Sequence, residues 1–129
     1  MAISLQWENE EKTIIRWTLD GPWTWADFET AQAEFHAMLR TVEHLVDVIA
    51  DLRHAPALPR DTFANFKRME RKVVPNRDRV VLVTESMFIR GMARTFNQVF
   101  RNRPTQFLFA DTIEGAHALL AQPRRSTVR

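Results

Sequence analysis

Cysteine is absent from all 129 residues. Disulfides, thiolate catalysis, zinc ribbons and iron–sulfur ligation are therefore excluded, and a reducing compartment such as the cytoplasm is the natural expectation. Glycine is scarce, at Gly21, Gly91 and Gly115 only. None of the three lies in a loop that could cradle a phosphate at a helix N-terminus, so dinucleotide and P-loop sites are not expected. The longest apolar run, Val80 to Val83, is far too short to cross a bilayer. The opening MAISLQWENEEK lacks the basic and apolar stretches of a signal peptide.

Catalytic groups are thin as well. A nucleophilic serine needs a base within reach and a sharp turn that exposes it. Ser86 ends a buried strand at a helix start, but Glu85-Ser86-Met87 has no flanking glycine, and a helix N-cap accounts for it. His36, His44, His54 and His117 are scattered rather than set at metal-ligand spacing. Neither a metal nor a cofactor is expected.

What is present is an ordinary core. Hydrophobic residues make up 45% of the chain, enough for one domain of this length to fold without staples. We expect that domain over residues 1–122 and a basic tail over 123–129. Net charge is +2, unevenly placed. Residues 1–52 hold ten acidic and three basic side chains, and residues 53–103 hold twelve basic and four acidic ones. Either the two halves neutralise each other or the basic half faces an acidic partner. The aromatics fall on apolar helical faces and not among the arginines, which argues against a nucleic-acid stripe.

Periodicity predicts the elements. Ile3, Leu5, Trp7 and then Thr13, Ile15, Trp17, Leu19 alternate with polar residues, as two strands do. Pairing Trp7 with Thr13, Leu5 with Ile15 and Ile3 with Trp17 gathers the apolar side chains on one face, around a three-residue loop, with Glu8 opposite Lys12. Thr24 and Asp27 suit a capping box for a helix to about Arg40, with Trp23 stapled onto Phe28. Val46–Leu52 reads as a strand, 54–59 as a loop and 60–73 as a second helix with Phe63, Phe66, Met69 and Val73 inward. Arg79–Thr84 reads as a strand covered on both faces. Ser86 opens a third helix whose stripe holds Phe88, Ile89, Met92, Phe96, Val99 and Phe100. Phe107–Ala110 is a fifth strand, and Asp111 with Glu114 caps a last helix through Ala121.

The order ββαβαβαβα implies an α/β domain with one five-stranded mixed sheet, its first strand antiparallel, and helices on both faces. This order, with Asp51-Leu52 ending the central strand, resembles the STAS domain of anti-sigma-factor antagonists, and is similar to the related CRAL-TRIO-type fold of lipid-transfer proteins. The resemblance implies a non-enzymatic module acting through protein contact. STAS antagonists carry Asp-Ser-Ser/Thr-Gly at the next helix start, where a hydroxyl is phosphorylated. Here that stretch is Pro59-Arg60-Asp61-Thr62, without serine or glycine, so the switch is not carried over to Thr62.

Ligands of open parallel sheets bind beyond the carboxyl ends of the strands. The loops expected there gather Arg53, His54, Arg60, Asp61, Thr62, Glu85 and Ser86, with Asp111 beside them. These form the candidate binding edge, suited to an acidic ligand or a partner's acidic side chain. Three functions follow. One is a STAS-like interaction module, self-associating or bound to another protein. The next is a small-ligand or lipid-binding domain, suggested by the apolar third helix. The last is an enzyme using His54 and Asp61.

Overall fold

A computed structural model describes residues 2–55, 58–69, 74–99, 101 and 106–123. Its elements run β1 (Ile3–Trp7), β2 (Ile14–Asp20), α1 (Trp25–Leu39), β3 (Val46–His54), α2 (Thr62–Met69), β4 (Arg77–Val83), α3 (Met87–Val99), β5 (Phe107–Ala110) and α4 (Ile113–Ala121). The five strands form one sheet in the order β1-β2-β3-β4-β5. β1 pairs antiparallel with β2, and every later neighbour pair is parallel. The expected mixed α/β sheet is thus the observed one.

That monotonic order dictates the layers. Each parallel neighbour is reached through one helix, and right-handed crossovers made in the same direction put those helices on one face. Side chains of α1 and α3 join Trp17, Val48, Leu82 and Phe107 in the larger core cluster. α4 follows the last strand and lies on the opposite face, where Ala116 and Leu120 pack with Ile49, Val81 and Val83. β4 is consequently buried on both sides over Val80–Val83.

The first hairpin differs from its expected register. Ile3 pairs with Leu19, Leu5 with Trp17 and Trp7 with Ile15, two residues from the expected partners. The connection is longer than three residues because Asn9 organises it. Asn9 Oδ1 accepts from the Thr13 N–H at 3.0 Å, and Asn9 Nδ2 donates to Thr13 Oγ1 at 2.6 Å. A slip of two leaves every side chain on its original face, so the apolar pattern cannot distinguish the two registers. Glu8 pairs with Arg16 instead of facing Lys12.

Other boundaries moved less. β3 continues through Arg53 and His54, which take strand conformation rather than opening the loop. Gly21, at φ 72, closes β2, and its N–H donates to the His54 carbonyl at 2.9 Å. The capping box of Thr24 and Asp27 forms as expected. The last helix is capped by Thr112, whose side chain accepts from the Gly115 N–H, one position beyond the expected Asp111. The expected inward side chains of the second helix, the final Phe100 and the tail from 124 lie outside the described residues.

The two charge halves pair with each other within the domain. Asp51 pairs with Arg53, Glu29 with Arg68, and Asp47 with Arg79, each joining an acidic residue of the first half to a basic one of the second. Asp47 is 3% exposed. Arg79 meets both its oxygens and also donates to the Leu120 and Gln122 carbonyls at the end of α4.

Candidate functional site

The three-helix face of the sheet is built around aromatics. Trp17 points to this face from the middle of β2, and Trp23 precedes the cap of α1. Phe28, one turn into α1, touches both, at 5.1 and 5.8 Å between ring centroids. Phe35 meets Trp17 edge-on at 5.3 Å. Trp25 meets Trp23 edge-on at 5.0 Å, and its indole N–H donates to the Arg60 carbonyl at 2.9 Å, tying the start of α1 to the residues before α2. The expected staple of Trp23 on Phe28 is therefore part of a larger cluster.

These side chains do not fill the space between helices and sheet. A cavity of about 120 Å³ remains, lined by Trp17, Trp23 and Phe35 on one side and by Leu82, Ala93 and Phe96 on the other. Apolar cavities of about 150 Å³ hold a molecule the size of benzene. Three polar residues, Gln32, Thr62 and Arg77, share the lining. Thr62 is 5% exposed, and its hydroxyl donates to the Pro59 carbonyl at 2.5 Å. Trp17 and Trp23 are each 6% exposed, and the indole N–H of each is buried without an acceptor among the described residues. A buried donor left unmade costs about 1–3 kcal/mol, so two in one cluster set this region apart from an ordinary core.

A second concavity opens at the carboxyl edge of the sheet, with a volume of about 360 Å³. It brings together Arg53, Glu85 and Ser86 of the expected edge, with Thr84 and Phe88. Leu52, Leu58 and Ile89 line both this depression and the cavity, so one layer of apolar side chains stands between them. Of the other expected residues, Thr62 lines the inner cavity. His54, Arg60 and Asp61 are exposed and line neither.

The polar residues of the edge are largely engaged. Arg53 grips Asp51 with two guanidinium contacts of 2.9 Å and a backbone N–H at 3.1 Å. Burial pushes the Asp51 carboxyl up, but the hydrogen bonds and charge of Arg53 outweigh it and hold the group below the usual carboxylate range. Ser86 caps α3 by accepting from the Ile89 N–H at 3.2 Å. Asp61 adopts φ 58, and its carbonyl accepts from the Asn65 N–H and side-chain amide. Asp111 pairs with Arg90, which also donates to the Thr84 carbonyl.

The outward flank of α3 differs from expectation. Ile89, Ala93 and Phe96 are buried, but Met87, Phe88 and Val99 are 72%, 68% and 59% exposed. The apolar stripe is wider than the sheet beneath it. At about 3.6 residues per turn, 88, 92 and 99 form a flank beside the buried row 89, 93, 96. The indoles of Trp17 and Trp23 were not among the expected functional residues, because alternation and stapling explain both positions. The available signal was that two tryptophans fall on the apolar face, each with a donor that aliphatic and aromatic neighbours cannot satisfy.

No protein-family model matches the chain, and no curated protein matches it. Among solved structures it is similar to an uncharacterized protein of the DUF3478 family from Shewanella loihica PV-4, described as having a SpoIIAA-like fold. The TM-score is 0.68 at 16% sequence identity, and the likeness covers 92% of each chain. Five strands in sequence order under one-sided crossovers, matched over nearly the whole length, give this domain a SpoIIAA-like fold of the STAS type.

Proposed function

We propose that the domain binds a small apolar ligand in the cavity between α1, α3 and the sheet. The observation that carries the proposal is the cavity itself, about 120 Å³ and lined mainly by aromatic and aliphatic side chains. A protein interior is normally packed as densely as an organic crystal, with few voids larger than a water molecule. Access runs from the edge depression through the layer of Leu52, Leu58 and Ile89. Calorimetric titration with benzene and with methylenecyclopentane tests the reading. Saturable binding that disappears in Ala93→Leu, a variant that fills the space, supports it. Absence of binding in the folded wild-type protein sinks it.

A second reading is a module that acts by protein contact, by self-association or with another protein. The exposure of Met87 and Phe88, side by side at the start of α3, favours it. Light scattering at low and high salt tests self-association. A dimer that dissociates on Phe88→Ser supports this reading. A monomer under all conditions, with no protein captured through this face, removes it.

A further inference from the structure

We infer that the ligand of the cavity bears a hydrogen-bond acceptor, a carbonyl or carboxylate oxygen on a compact apolar body, and that Trp17 and Trp23 are the donors that receive it. The inference rests on the reading of the cavity as a ligand site and adds the ligand's chemistry.

An indole N–H only donates, and buried tryptophans usually find a partner. Trp17 and Trp23 are buried, line the cavity and have no acceptor for this group among the described residues. They arrive from different elements, β2 and the segment before α1, yet both pack on Phe28. Both rings therefore border the part of the cavity next to Phe28. Their aromatic neighbours Phe28, Phe35 and Trp25 offer only π faces, which are weak acceptors. The Thr62 hydroxyl is already committed to Pro59.

Trp25 provides an internal contrast. It lies in the same aromatic cluster, and its N–H reaches the Arg60 carbonyl. The fold thus supplies an acceptor where the indole faces the connection to α2, whereas the two indoles that border the cavity are left unbonded among the described residues, although the Gln32 amide shares that lining. An apolar ligand with no acceptor would leave both donors unmade. One oxygen, with its two lone pairs, can take both.

The test uses two molecules of one shape. Cyclopentanone carries a carbonyl where methylenecyclopentane carries a carbon–carbon double bond. Both are titrated calorimetrically into the wild-type protein and into Trp17→Phe, Trp23→Phe and the double variant. The expected result is that the double variant binds cyclopentanone about tenfold more weakly and the hydrocarbon within about twofold of wild type. Retained hydrocarbon binding also shows that the variant has folded. Should a variant fail to fold, the wild-type indole N–H resonances give the same answer. With four tryptophans the signals are few enough to follow. Two of them should move downfield with cyclopentanone and stay in place with the hydrocarbon. Butyrate as a third ligand separates a carboxylate from a neutral carbonyl. Equal losses for both shapes, or unmoved indole signals, overturn the inference and leave the cavity as a site for plain hydrocarbons. If neither molecule binds the wild-type protein, the cavity reading falls and this inference falls with it.

Discussion

Glu8, just past the end of β1, and His117 of α4 meet at 2.9 Å although 109 positions separate them. The same carboxylate oxygen takes two guanidinium contacts from Arg16, at 2.6 and 3.1 Å. Three donors on one oxygen join the hairpin to the helix that covers the second face of the sheet. Burial pushes the Glu8 carboxyl up, but the hydrogen bonds and charges of Arg16 and His117 prevail and hold it below its usual range.

A pH dependence follows from Glu8 and Asp51 together. Both carboxyls are depressed in the folded protein relative to an unfolded value of about 4. Groups of this kind contribute stability that is fully present above the unfolded value and is lost as pH falls through the folded one. Urea midpoints should be flat from about pH 7 to 5 and fall below about pH 4. Glu8→Gln and Asp51→Asn should each be less stable at pH 7 and lose less on acidification. Variants with the wild-type acid profile would contradict this.

Arg79 should be among the costliest surface-facing positions to change. It neutralises the buried Asp47 and holds the last carbonyls of α4. Arg79→Met takes the guanidinium away from the buried Asp47 carboxylate and from the carbonyls at the end of α4, and breaking a buried pair on one side costs about 3–5 kcal/mol. The double change Asp47→Leu with Arg79→Met should recover much of that loss, because the desolvated carboxylate is gone. Chemical denaturation of the three variants measures both values.

Phe88 and Phe96 should behave oppositely although both lie in the apolar stripe of α3. Phe96 is 3% exposed and Phe88 68%. Phe96→Ala should cost about 3–5 kcal/mol, and Phe88→Ala should stay within about 0.5 kcal/mol. Thermal unfolding of the two variants reads the difference directly.

Leu58 should control traffic into the cavity. It is half-buried and shared between the cavity and the edge depression. Leu58→Ala should raise the association and dissociation rates of methylenecyclopentane together and change the Kd much less. Exchange broadening in ligand-observed NMR checks this. Unchanged exchange would place the access route elsewhere.

The sequence carried element order well and side-chain consequences poorly, for physical reasons. Alternation in Ile3–Trp7 and Ile14–Asp20 reports the face, and a register shift of two is invisible to it. The Asn9 and Thr13 pair that sets the true register is a side-chain event between turn residues. Helical spacing located α3 but not the width of the surface it meets, so Phe88 and Val99 looked like core. The Arg53 to Ser86 edge was legible as a set of loop ends. That Arg53 lies in β3 and already faces Asp51 depends on where the strand stops. The cavity was not legible, because a void is the sum of shapes from β2, β3, β4, α1 and α3 and no local pattern encodes it.

The one-sided crossovers also set an order of risk during synthesis. Ile49, Val81 and Val83 acquire their cover only from α4, the last element of the domain. Until residues 113–121 dock, the sheet assembled under α1, α2 and α3 has its reverse side open to water. A chain cut after residue 111 and released would therefore display a greasy β surface, and chaperones should engage it more strongly than the chain that carries α4.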